Sequence, residues 1–273
     1  MKILVPVLAV AAFAFVAVDP NTSGPYTDSQ GRVYDRLPSP SDFATVAEFD
    51  AKFGHEVFTT RDGRQFQIDR ALTPEELSQA LEDQLIGRNW RNQMNSGLHT
   101  TASVSTNNPV DEEFRAAFSS IASLKNYVMG EVDVADAALI ANWGIDLVPT
   151  TGQAWDSNDS ADIAQLLDEA YAEHGLNGQD MMTAWSNDYT SGGAIGIAYI
   201  GLPRLLTKKY NGLEGEILQH EVGHTYTCYH CNDGNCIMYP YLIASNLGNF
   251  HNYYESTSGQ NHWNVMNNQK NRY

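Results

Sequence analysis

The segment 212–227, "GLEGEILQHEVGHTYT", constrains this chain more than any other. Its periodicity predicts a helix, and within it His220-Glu221-Val222-Gly223-His224 has the form H-E-x-x-H. Residues four apart on a helix stand one turn above each other, so both imidazoles face the same way and can share one Zn²⁺, with Glu221 beside them as a base. His230 follows ten positions after His220, and Met238 lies a short way beyond. Any fold for this chain has to hold that helix rigidly and bring His230 back onto it.

Three neutral imidazoles leave a fourth zinc position open, as catalytic sites do. Zinc would lower the pKa of a bound water towards about 7 and polarise a carbonyl. Glu221 would take the water's proton and pass it on to a leaving amine. The competing readings are two ordinary buried or surface histidines, and a structural zinc whose fourth position is closed by Cys228 or Cys231. A further alternative to the enzyme is a catalytically silent zinc-binding module that holds a polypeptide in the same cleft.

The order of elements is mixed. "RQFQID" alternates as a strand does, and "TPEELSQALEDQL" opens a helix, with Thr73 as N-cap, Pro74 at the first position and Glu76 completing a capping box. "TTASVST" reads as a strand. "DEEFRAAFSSIASLKNYV" reads as one amphipathic helix with Phe114, Phe118, Ile121, Leu124 and Val128 on its apolar face. "WGIDLVPT" is a short strand, "SADIAQLLDEAYAEHGL" a helix ended near Gly175, and "DMMTAWS" and "GGAIGIAYIG" are strands. A last helix is expected after Tyr254. The fold class is α/β (α+β), a twisted mixed sheet with helices, a zinc helix and a small irregular C-terminal subdomain.

Met1 to Val18 carries one basic residue, Lys2, and then an apolar run of sixteen, Ile3 to Val18. That is short of the roughly 20 residues of a membrane span and suits a signal peptide. The expected division is therefore 1–18 signal peptide, 19–97 linker and possible propeptide, and 98–273 catalytic domain, with residues 20–45 read as linker. The expected location is secreted or extracytoplasmic, with no stable membrane association once the signal is cleaved. A net charge of −17 argues against nucleic acid and anionic membranes as partners.

H-E-x-x-H with a third histidine and a following methionine turn resembles the metzincin zinc proteases. "DMMTAWSNDYTSGGAIGIAYIG" and "NCIMYP" look like the pre-helix strand and the methionine turn of the reprolysin (adamalysin-like) group. The resemblance implies a zinc-dependent endopeptidase with His220, His224 and His230 as ligands, Glu221 as catalytic base and Met238 as an apolar floor. Tyr239 or Tyr241 would approach the metal or the developing oxyanion. It also implies that Gly193, Ala194, Ile195 and Gly196 form an edge strand against which an extended polypeptide substrate pairs. A calcium ion is conceivable but has no support in the sequence.

Two departures stand out. Thr227 occupies the family's glycine position, where the chain turns with positive φ and a β-branched residue is resisted. "HCNDGNCIM" is similar to the H-C-x4-C-x-M segment of archaemetzincins, which use cysteines for a second zinc, but their downstream cysteine pair is absent. For Cys231 and Cys236 a disulfide is expected in an exported chain, with a second metal as the alternative, and Cys228 reads as a buried thiol. His251 and His262 are expected to be solvated, and Tyr253 and Tyr254 to be surface or packing residues. No cysteine precedes Cys228, so a propeptide would need a carboxylate to block zinc; Asp62 in "TRDGR" is the candidate, against the plainer reading of a turn.

Overall fold

A computed structural model of the chain describes residues 24–94, 102–188 and 193–273. The expected signal peptide and the boundary near residue 97 lie outside those residues. Among them, no helix is long and apolar enough to cross a membrane.

The N-terminal part carries β1 (Tyr26–Thr27), β2 (Val33–Tyr34), α1 (Val46–Phe53), β3 (Phe58–Thr59), β4 (Gln65–Phe66), β5 (Asp69–Arg70) and α2 (Pro74–Met94). Then follow β6 (Ala102–Val110), α3 (Glu112–Ala116), α4 (Ile121–Trp143), β7 (Ile145–Ala154), α5 (Ile163–His174), β8 (Met181–Ser186), β9 (Ala194–Ala198), β10 (Arg204–Lys208), α6 (Glu214–Thr225) and α7 (His262–Gln269).

The main sheet has the order β5-β9-β10-β8-β6-β7. Strands β7, β6, β8 and β10 are parallel, and β9 and β5 are antiparallel additions at one edge. Both faces are covered, and the central strands β8 and β9, buried along their whole length, read accordingly as near-continuous apolar runs. Met181, Trp185, Leu205 and Ala198 face α4 and α6, meeting Val128, Val132, Leu139, Leu218 and Val222. Their neighbours Met182, Ala184, Leu206 and Ile197 face the other way, onto Ile163, Leu166 and Leu167 of α5. Phe49, Phe53, Phe58 and Phe66 of the N-terminal part join this second cluster. The side chains alternate because successive residues of a strand point to opposite faces.

Several expectations need correction. Residues 24–45 are packed, with Tyr26 and Leu37 buried, and β1 and β2 belong to a four-stranded sheet of order β2-β1-β3-β4. "RQFQID" is two strands rather than one: β4 stays in that small sheet while β5 crosses to the edge of the main one. The helix expected over 111–128 is broken between Ala116 and Ile121, because the Ser120 hydroxyl accepts from the Ser123 N–H and starts a new helix there. The break turns Ile121 out to solvent, whereas Phe114, Leu124 and Val128 are buried as their spacing requires. Strand β10 had no sequence signal, since its apolar centre is only Leu205-Leu206 between basic residues. The capping box at α2 is present: the Thr73 N–H donates to Glu76 Oε2 at 2.8 Å, and the Glu76 N–H to Thr73 Oγ1 at 3.2 Å.

Candidate metal centre and active site

All twelve residues of α6 are buried. The helix is fixed at its N-terminal turn by Glu214, which accepts from the Tyr127 hydroxyl at 2.7 Å and the Tyr210 N–H at 2.6 Å. Glu216 meets Arg88 of α2 at 2.9 Å. Carboxylates in a first turn also suit the helix dipole.

At its other end α6 presents His220 and His224, and the chain returns with His230. Their Nε2 atoms lie 3.1, 3.2 and 3.2 Å apart. Each Nδ1–H donates to a backbone carbonyl: His220 to Ile237 at 2.6 Å, His224 to Cys228 at 2.7 Å and His230 to Gly54 at 2.7 Å. Those bonds fix the tautomer that leaves Nε2 free to bind a metal. A tetrahedral ion with bonds of about 2.0 Å separates its ligand atoms by about 3.3 Å, so the three imidazoles fit a zinc ion closely.

Thr227 makes the return possible. Its φ is +72°, so the left-handed turn is kept without glycine. The Thr227 N–H donates to the His224 carbonyl at 2.9 Å and the Cys228 N–H to the Gly223 carbonyl at 3.0 Å, the paired bonds of a Schellman motif. The turn brings the Cys228 carbonyl back onto His224.

Met238 lies against the helix at Gly223, where a Cβ would collide with its sulfur. Glu221 is fully buried, and neither carboxylate oxygen has a hydrogen-bond partner among the described residues. Gly196 of β9 stands directly over it: a Cβ there would run into the Glu221 carboxyl and come within 2.7 Å of Ile217 Cγ2. Only glycine lets this strand pass so close to the helix.

Asp69, which carried no sequence signal, completes the group. Its Oδ1 lies 2.8 Å from His220 Nε2 and 2.9 Å from His230 Nε2, and its Oδ2 lies 3.9 Å from His224 Nε2. A carboxylate oxygen thus stands where a fourth ligand would. Burial opposes the Asp69 charge, but the His220 and His230 rings hold its pKa well below the usual range. Burial and then the nearby Asp69 carboxylate push Glu221 the other way. His224 is kept neutral by burial and by the two neighbouring rings.

Asp69 belongs to β5, which pairs with β9 through Asp69–Gly196 and Arg70–Ala194, and the Ala71 N–H donates to the Gly193 carbonyl at 2.5 Å. The edge expected to receive substrate, residues 193–196, is therefore covered by the chain's own N-terminal part. Arg70 holds β5 there. Its guanidinium meets Asp50 of α1 at 2.6 and 2.7 Å and Glu76 of α2 at 2.7 and 2.8 Å, and it stacks over Tyr241. Gln67 accepts from the His230 N–H at 2.7 Å. The space left beside Asp69, His220 and Glu221 is about 10 Å³, roughly one water. A larger cavity of about 460 Å³, between α4 and β7, shares no residue with this group.

Asp62 is a turn residue. It lies in the turn between β3 and β4, pairing with Arg64 at 2.7 Å beside Gly63 at φ +88°. Tyr239 and Tyr241 meet edge to face, and Tyr241 lies under the Arg70 guanidinium. Cys228, Cys231 and Cys236 are all buried free thiols, and no disulfide joins Cys231 to Cys236. His251 and His262, expected in solvent, are 5% and 0% exposed, whereas Tyr253 and Tyr254, read as surface or packing residues, lie on the surface.

No known protein-family profile matches the chain, and no curated protein matches it. Among solved structures, it is similar to one described as a chaperone-substrate complex, at 12% identity and a TM-score of 0.49, over 64% of this chain and 36% of that one. The chain thus spans little more than a third of that structure's length. It is also similar to metalloproteinase-II from Bacteroides fragilis, at 11% identity and a TM-score of 0.44, over 78% of this chain and 76% of that one.

Proposed function

We propose that this protein is a zinc-dependent endopeptidase held latent by its own N-terminal part. The observation that carries the reading is the convergence of three tautomerically fixed imidazoles beside an unpartnered, buried glutamate. A purely structural zinc needs no base at Glu221. His220, His224 and His230 would hold the ion, which supplies Lewis acidity to make water nucleophilic near neutral pH and to polarise a peptide carbonyl. Glu221 would serve as the base, holding the proton of an attacking water and passing it to the departing amine. Met238 and Gly223 keep the two helix imidazoles in register from below. Once β5 leaves, β9 offers free backbone groups to an extended polypeptide, so main-chain pairing binds substrate and nearby side chains set preference.

In the latent form Asp69 fills the fourth position and β5 fills the substrate edge. What supports this is that both blocks come from one two-residue strand, pinned by the buried Arg70. Residues 19–97 would then act as a propeptide released by cleavage near the expected boundary. Because Gly54 and Gln67 also hold His230, the segment serves as a positioning clamp for a ligand as well as a plug. Residues 1–18 are read as the export signal, with a secreted or extracytoplasmic location; N-terminal sequencing of protein recovered outside the cell tests that.

The enzymatic reading is tested by nicking the folded chain near residue 97 and assaying a quenched-peptide library with and without a zinc chelator. Hydrolysis in the nicked wild type, absent from Glu221→Gln and from the chelated sample, is the expected result. Zinc bound by the nicked chain with no hydrolysis would replace the enzyme by a module that only holds a polypeptide.

A further inference from the structure

A second cluster of metal-binding side chains lies apart from the imidazoles of the first. Cys231, Cys236, His251 and His262 are all buried, and they offer one ligand atom each within 4.8 Å of one another. Cys236 Sγ is 3.4 Å from His262 Nδ1. A tetrahedral zinc with Zn–S of about 2.3 Å and Zn–N of about 2.0 Å would place such a pair about 3.5 Å apart. The His251 Nδ1–H donates to the Tyr253 carbonyl at 2.9 Å, so its Nε2 carries the lone pair; that atom is buried and without a hydrogen-bond partner among the described residues. The two rings stand 4.1 Å apart, centroid to centroid. Two buried imidazoles and two buried thiols, with an imidazole lone pair unanswered, form a costly arrangement for side chains that merely fill space.

We propose that these four residues bind a second, structural zinc ion. Two sulfur and two nitrogen donors close all four tetrahedral positions, which makes the site structural and favours a borderline-soft ion such as zinc over magnesium or calcium. Its placement gives it a task. Cys231 follows His230 directly, and Cys236 precedes Ile237, whose carbonyl orients His220, and Met238. The ion would clamp both ends of the 231–236 loop, which lies between the third imidazole and the methionine floor. His251 and His262 would tie that loop to the C-terminal segment, with His262 at the first position of α7.

The test uses the full chain with cobalt(II) in place of zinc. Thiolate bound to cobalt gives an intense near-ultraviolet charge-transfer band that an imidazole-and-carboxylate site cannot give. We expect that band in wild type, together with two metal ions per chain. It should survive in His224→Ala and Cys228→Ser and be lost in Cys236→Ser and His262→Ala. Because His224→Ala disables only the first centre, failure of the proposed peptidase site and failure of this one read out separately. A single metal per chain with no thiolate band in wild type would overturn the proposal, even if every variant failed to fold. So would thiol titration of the unfolded, unreduced wild type that finds one reactive cysteine instead of three, since Cys231 and Cys236 would then form a disulfide.

Discussion

Thr227 sits at φ +72°, in a region where an L-residue costs roughly 1–2 kcal/mol. Thr227→Gly removes that strain. Against it stand the greater freedom of glycine in the unfolded chain, about 0.5–1 kcal/mol, and the loss of a half-buried methyl that lies 3.1 Å from where a Cβ on Gly201 would stand. The net is a stabilisation of about 0.5 kcal/mol, or a rise in melting temperature of about 1–2 °C for a chain of this size. Thr227→Ala supplies the sharper comparison, because alanine keeps the left-handed strain and also loses the methyl. The glycine variant should exceed the alanine variant by about 1 kcal/mol in urea unfolding. Zinc affinity should be unchanged in both, since the bond from His224 Nδ1 to the Cys228 carbonyl uses only backbone on the acceptor side. An alanine variant as stable as the glycine variant would refute the strain argument, and weakened zinc binding in the glycine variant would refute the claim that the turn, not the side chain, orients His224.

Gly196→Ala should lower stability by about 1–3 kcal/mol, because its Cβ has to displace Ile217 and the Glu221 carboxyl; a melting curve identical to wild type would contradict the close packing of β9 on α6. Burial raises the Asp111 carboxyl to about 6. Its folded pKa lies above its unfolded value, so stability falls as pH rises from about 4 to about 6, by at most about 3 kcal/mol. Asp111→Asn should flatten that window in a series of unfolding curves. Removing zinc with a chelator should lower the melting temperature, since an ion at 100 times its dissociation constant contributes about 2.7 kcal/mol.

The helix that presents His220 and His224 side by side was legible in the sequence because its information is local. His220 and His224 are four apart on a helix whose apolar face is continuous, and His230 and Met238 follow within twenty residues. The capping box at Thr73 and the end of α5 at Gly175, with φ +53°, are local for the same reason. Asp69 was not legible. It meets His230 across 161 residues, and nothing in "FQIDR" separates it from the turn residue Asp62, which stands in a more conspicuous Asp-Gly pair. His251 and His262 were hidden in the same way: a polar, asparagine-rich tail reads as solvated, yet both rings are drawn into the core by packing that no spacing encodes. The serine pair at 119–120 could have revealed the break before α4, since a serine three residues ahead of another hydrogen-bonding side chain is a helix start in its own right.

The central claim is that β5 holds a competent zinc peptidase silent, through Asp69 among the imidazoles and through its cover over β9, and it is tested most directly by the peptidase activity of the intact double variant Asp69→Ala, Arg70→Ala, which removes the carboxylate and the pin together. A hundredfold suppression corresponds to about 2.7 kcal/mol, within reach of a buried charged ligand on a pinned strand. The account predicts chelator-sensitive hydrolysis in the intact double variant well above intact wild type, and none once Glu221→Gln is added. An intact double variant that binds zinc and stays folded, yet remains as silent as wild type while the nicked wild type is active, would contradict it.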